Sequence, residues 1–80
     1  MKLPRDISGQ DLIRYLKIFG YEVTRQSGSH IRLTTRKNGE HHLTIPNHSP
    51  LIIGTLSSIL VDVAAHFQIS KDQLIKELFK

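Results

Sequence analysis

The chain has no cysteine and no tryptophan, and only two tyrosines and three phenylalanines among its 80 residues. Without cysteine there is no disulfide framework and no thiolate zinc site, so the chain is not built for an oxidising compartment. Tyr21 and the three phenylalanines are assigned to the core, which leaves no platform on which successive bases stack. No apolar run approaches the roughly 20 residues that span a bilayer. The opening Met1-Lys2-Leu3-Pro4-Arg5-Asp6 is too polar for a secretory signal. The expectation is a cytoplasmic protein with no membrane partner.

What is present fits a small folded unit. Eighty residues leave room for one core, so residues 1–80 are read as a single domain with a stability of a few kcal/mol. The formal net charge is +4, and it is unevenly placed. Residues 1–50 carry eight Lys or Arg against four Asp or Glu, whereas residues 51–80 carry three of each. Four of the five histidines lie between positions 30 and 48, so protonation adds to the same basic region. A polyanion is the partner such a distribution suits, although a solvated basic surface has the same composition.

Ser8 and Asp11 form a capping box that opens a helix, with Leu12, Ile13, Leu16 and Phe19 as its apolar stripe and Gly20 as its stop. Tyr21 to Arg25 alternates like a strand, and Gln26-Ser27-Gly28-Ser29 reads as a turn. His30 to Thr35 is a second strand and His41 to Ile45 a third, joined by a loop with the hairpin signal Asn38-Gly39. After a loop from Pro46 to Pro50, Thr55 is placed as the cap of a helix with the stripe Leu56, Ile59, Leu60, Val63, Ala64 and Phe67. Ser70 and Gln73 make a second capping box for a last helix. The order α-β-β-β-α-α predicts an α+β fold, a three-stranded antiparallel sheet with its helices on one face. If Ile31, Leu33, Leu43 and Ile45 face those helices, period-2 geometry sends His30, Arg32, Thr34, His42 and Thr44 to the other side.

His30 is the strongest catalytic candidate. An imidazole titrates near pH 6.5, and a positioned one serves as general acid or base for about 10²–10⁴-fold of rate. In RNA cleavage a base removes the 2′-hydroxyl proton and an acid protonates the leaving 5′-oxygen. Gly28 permits close approach of the backbone, and Ser29 supplies a hydroxyl beside the ring or the phosphate. Arg25, Arg32, Arg36 and Lys37 are candidate phosphate contacts from the sheet, with Arg5, Arg14 and Lys17 extending them through the first helix. His42 is the candidate for a complementary acid or base, and His48 for a phosphate contact. His41 and His42, adjacent in a strand, point to opposite faces and do not chelate one ion. His30, His42 and His48 lack a carboxylate or thiolate at ligand spacing, so no metal site and no cofactor is assigned. His66 reads as a boundary residue of its helix.

These residues resemble a known family, the HicA (YcfA-like) toxins of bacterial toxin–antitoxin pairs. The likeness lies in the helix ending at Gly20, the run Arg25-Gln26-Ser27-Gly28-Ser29-His30, the strand ending Ile45-Pro46 with His48 two residues on, and Gly54-Thr55-Leu56 with Ile59-Leu60. The resemblance implies a fold like the double-stranded-RNA-binding domain and a ribonuclease that cleaves mRNA and halts growth. It implies that the family's catalytic histidine is His30, that no metal cofactor is needed, and that a HicB antitoxin covers the active surface. Family members often carry Lys before the Gly-Thr-Leu helix start and Lys or Arg after it. Here Ile52, Ile53 and Ser57 stand there, which suits weaker RNA contact or a hydrophobic contact with a partner. Two other readings fit the residues: a non-catalytic RNA-binding module, and a degenerate toxin kept as a protein-interaction domain.

Overall fold

The computed structural model describes residues 3–80. Met1 and Lys2, part of the polar opening and of the basic half counted above, lie outside the described residues. Helix α1 spans Gly9–Leu16 and tightens into a 3₁₀ turn over Lys17–Phe19. Strands β1 (Glu22–Ser27), β2 (His30–Thr35) and β3 (His41–Pro46) follow, then α2 (Ile53–Phe67) and α3 (Lys71–Leu78). The sheet is an antiparallel meander in the order β1-β2-β3. This is the expected α+β arrangement, α-β-β-β-α-α.

Local chemistry accounts for the entry to α1. The Ser8 hydroxyl accepts from the Asp11 N–H at 3.0 Å, and the Asp11 carboxylate accepts from the Ser8 N–H at 3.1 Å. Those hydrogen bonds, with the nearby Arg14 charge, hold the Asp11 carboxyl below the usual carboxylate range. At the other end Gly20 takes φ +82°, the left-handed stop that a side chain disfavours.

Burial follows the strand period. Ile31, Leu33, Leu43 and Ile45 are buried on the inner face of the sheet, where they meet Leu12 and Leu16 of α1 and Leu56, Leu60 and Val63 of α2. Leu74, Ile75 and Leu78 of α3 join the same cluster. At about 1.5–3 kcal/mol for each large aliphatic side chain removed from water, this cluster is the main source of stability. Phe19, Phe67 and Phe79 pack on its margin and are only partly buried, so Tyr21 is the one aromatic fully inside. The shortest dimension of the molecule is 18 Å, which one sheet and one layer of helices about 10 Å across already fill. Among the described residues nothing covers the outer face of the sheet, and His30, Arg32, His42 and Thr44 on it are exposed.

Several local expectations are corrected. The first strand starts at Glu22 rather than Tyr21 and runs on to Ser27, because a two-residue turn, Gly28-Ser29 with φ +58° at Gly28, lets Ser27 pair with His30. Every residue of β1 is exposed, so burial does not alternate along it. Helix α2 starts at Ile53 with Ile52 as its cap residue, not at Thr55, and no side chain caps it. The start is set from a distance: Leu51 is buried, and its N–H donates to the Ile7 carbonyl at 2.7 Å, which delivers the chain to the helix earlier. At α3 only half of the second capping box forms. Ser70 accepts from the Gln73 N–H at 3.0 Å, while the Gln73 amide donates to Glu77.

Candidate active site

Cross-strand pairing places each polar candidate. His30 faces Pro46, Arg32 faces Thr44 and Thr34 faces His42. The Asn47 N–H donates to the Ser29 carbonyl at 2.7 Å, so His30 and Pro46 form a non-hydrogen-bonded pair, the kind in which side chains stand closest. Pro46 therefore lacks an N–H where the ladder needs none. The outer face carries His30, Arg32 and Thr34 from β2 with His42 and Thr44 from β3, as period 2 requires.

A bulge adds to this face. The register of β1 against β2 shifts between Val23 and Arg25, so Thr24 and Arg25 both oppose Arg32. Thr24 Oγ1 lies 2.9 Å from Thr34 Oγ1. The result is a shallow hollow of about 380 Å³, walled by Arg25, Arg32, Arg36, Thr24, Glu40 and His42. Among the described residues no carboxylate pairs with Arg25, Arg32 or Arg36. Thr24 had no signal in the sequence, since the bulge is invisible in a strand that buries nothing, and Glu40 joins the hollow through its contact with His42.

His30 opens β2 immediately after the Gly28-Ser29 turn. It is exposed, and its ring has no hydrogen-bond partner among the described residues. The requirement for glycine at position 28 is its positive φ, because a Cβ there would meet open space. His42 lies on the expected face, but its ring is not free. Its Nδ1 lies 2.8 Å from Thr34 Oγ1 and its Nε2 3.0 Å from Glu40, so both nitrogens are engaged. It also sits opposite Thr34, four residues along β2 from His30, a separation of about 13 Å at the rise of a strand. His42 therefore stands well along the sheet from the corner that holds His30.

Lys37 sits in the β2–β3 loop at the far end of the sheet from His30, its ammonium 3.4 Å from the Ile18 carbonyl. Arg14 pairs with Asp11 on α1, the layer opposite the open face. His41 points inward to Tyr21 and Asp62, confirming that it and His42 lie on opposite faces. His66 stacks on His41 with centroids 4.4 Å apart, and its Nε2 bonds the Lys37 carbonyl at 2.9 Å, a structural boundary role. Among the described residues no three His, Cys, Asp or Glu side chains converge as metal ligands.

The exposed histidine, the glycine turn and the basic open face lie within the span matched by a family model, HicA toxin of bacterial toxin-antitoxin, over residues 9–64. The chain belongs to the HicA toxin family. It is the toxin member of a toxin–antitoxin system, a family of enzymes that generally act as ribonucleases. The matched span runs from α1 through most of α2 and includes both His30 and His48. No curated protein and no solved structure matches the chain. At Ser57, one of the positions where this HicA toxin lacks the expected cation, the Lys71 ammonium donates to the serine hydroxyl, so α3 delivers a cation there. No described helix is by itself long and apolar enough to cross a membrane.

Proposed function

We propose that this HicA toxin is a metal-independent endoribonuclease that cleaves mRNA on the open face of its sheet, with His30 in acid–base catalysis. The observation that carries the reading is the state of His30: an exposed imidazole at the start of a strand, with no partner for either nitrogen and no cover on the sheet face beside it among the described residues. Arg32 projects from the same strand two residues on, and Arg25 stands beside it across the ladder. The two guanidiniums hold phosphates of the strand being cut, and charge-assisted hydrogen bonds of this kind offset the charge that grows on the scissile phosphate. Gly28 and Ser29 fix the approach to the ring.

A cognate antitoxin of the HicB type silences the enzyme by covering this face. Ile52, 72% exposed, and Ile53, 47% exposed, follow the Pro46–Pro50 loop and offer it a hydrophobic contact beside the catalytic corner. The deciding experiment compares a purified transcript incubated with the parent and with His30→Ala, each with and without a chelator. The parent cuts in both conditions, and the variant, which disturbs no internal contact, stays folded and loses at least about 100-fold. Equal cleavage by His30→Ala removes the catalytic assignment. Absence of cleavage by the parent leaves a binding module.

A further inference from the structure

Five imidazoles divide into two groups. His41 and His42 each use both ring nitrogens, and His66 is stacked and bonded to a carbonyl. His30 and His48 are left, both exposed and neither with a ring hydrogen bond among the described residues. The fold brings these two into one corner. His30 faces Pro46 across the ladder, and Asn47 continues the pairing by donating to the Ser29 carbonyl at 2.7 Å. One residue further, the His48 carbonyl accepts the Gly9 N–H of α1 at 2.9 Å. The Gln10 amide reaches Asn47 Oδ1 at 3.3 Å. The segment carrying His48 is thus tied to β2 on one side and to the first turn of α1 on the other, which holds its backbone at a fixed place relative to His30.

From this juxtaposition, and resting on the ribonuclease reading above, we propose that His48 is the second acid–base residue of the site, the reciprocal partner of His30. One imidazole, neutral, takes the proton of a ribose 2′-hydroxyl as that oxygen bonds to phosphorus. The P–O5′ bond breaks, and the other imidazole, protonated, gives its proton to the leaving 5′-oxygen. The products are a 2′,3′-cyclic phosphate and a 5′-hydroxyl. No further reactant is consumed, and the pair ends with its protons exchanged, to be reset by solvent. A single histidine can serve only one of the two transfers in this step, and His42 is too distant to serve the other.

The test is the pH dependence of single-turnover cleavage between about pH 5 and 9, across the imidazole range, for the parent, His30→Ala, His48→Ala and His48→Asn. Binding of a 2′-O-methyl RNA, which lacks the attacking hydroxyl, is measured alongside. The parent profile rises and falls. His30→Ala and His48→Ala each lose about 100-fold or more and lose opposite limbs of the bell, with RNA affinity unchanged. His48→Asn keeps a planar polar side chain without a transferable proton, and it carries the same expectation should the alanine variant fold poorly. The proposal is overturned if the His48 variants keep both limbs, or if they lose affinity while the rate at saturation is retained, the behaviour of a phosphate contact. If the parent cuts nothing, the ribonuclease reading itself fails. If the parent cuts, His30→Ala does not, and the His48 variants keep both limbs, only the pairing fails.

Discussion

The Tyr21 hydroxyl lies 2.7 Å from His41 Nδ1, and His41 Nε2 lies 3.1 Å from Asp62 of α2. Both ring nitrogens of His41 are thus engaged, one with a phenol and one with a carboxylate. One imidazole therefore ties the residue before β1 to the interior of α2, on the side of the sheet away from His30. Burial, aided by the Asp62 charge, pushes the Tyr21 phenol well above its usual range. Above about pH 10 the unfolded chain releases this proton while the folded chain keeps it. Stability from this group then falls by about 1.4 kcal/mol per pH unit. Tyr21→Phe is expected to cost about 1 kcal/mol at neutral pH and to remove that alkaline slope. Urea denaturation of both proteins at neutral and alkaline pH checks it, and parallel curves would place the alkaline loss in other groups.

At the start of α2 the backbone is ready for a cap that the side chain does not provide. Ile52 has φ −64° and ψ 135°, the extended geometry of a cap residue, and is 72% exposed. A serine there reaches the Thr55 N–H. Ile52→Ser should be more stable than Ile52→Ala by about 1 kcal/mol, which raises the midpoint of thermal unfolding by about 4–8 °C in a domain of this size. Equal midpoints would mean that those N–H groups are already satisfied by water.

Features set by neighbours in sequence were legible before the structure. The Ser8–Asp11 box, the Gly20 stop and the Asn38-Gly39 reversal, with φ of +57° and +95°, follow from residue chemistry within a few positions. So does the split of β2 and β3 into buried and open faces, because Ile31, Leu33, Leu43 and Ile45 alternate without interruption. The bulge at Thr24 was not legible, since an all-exposed strand has no apolar rhythm for an extra residue to break. Nor was the approach of the loop bearing His48 to His30. His42 is nearer to it in sequence, but the register carries His42 down the sheet, and the Pro46 pairing brings the loop bearing His48 to the corner. Register and long-range anchoring, such as Leu51 on Ile7, belong to the assembled sheet rather than to any segment.

Two helix-entry glycines make an opposed pair. A Cβ on Gly9 would lie 2.1 Å from the Pro46 carbonyl oxygen, whereas one on Gly54 would meet nothing within 4 Å. Alanine has the better helix propensity at both. Gly54→Ala should stabilise by about 0.5 kcal/mol. Gly9→Ala should destabilise by about 1–3 kcal/mol through overpacking and should also slow RNA cleavage, because relief of the clash moves the segment that carries His48. Thermal melts and cleavage rates of the two variants test this, and a neutral Gly9→Ala would show that α1 can shift without cost.

Arg25 and Arg32 oppose each other across β1 and β2 with no carboxylate paired to either among the described residues. Like charges set directly opposite on a sheet destabilise it by a few tenths of a kcal/mol. If the pair serves RNA, stability and binding respond in opposite directions. Arg25→Gln and Arg32→Gln should each make the free protein slightly more stable. In a His30→Ala background, where RNA is not consumed, each should weaken binding of a single-stranded RNA. Each should also reduce the slope of log affinity against log salt by about 0.7, the effect of one phosphate contact. Arg14→Gln, which breaks only the pair with Asp11 on the opposite layer, should leave that slope as it is. A slope unchanged by both sheet variants but lowered by the helix variant would put the RNA on the other side of the molecule and detach it from His30.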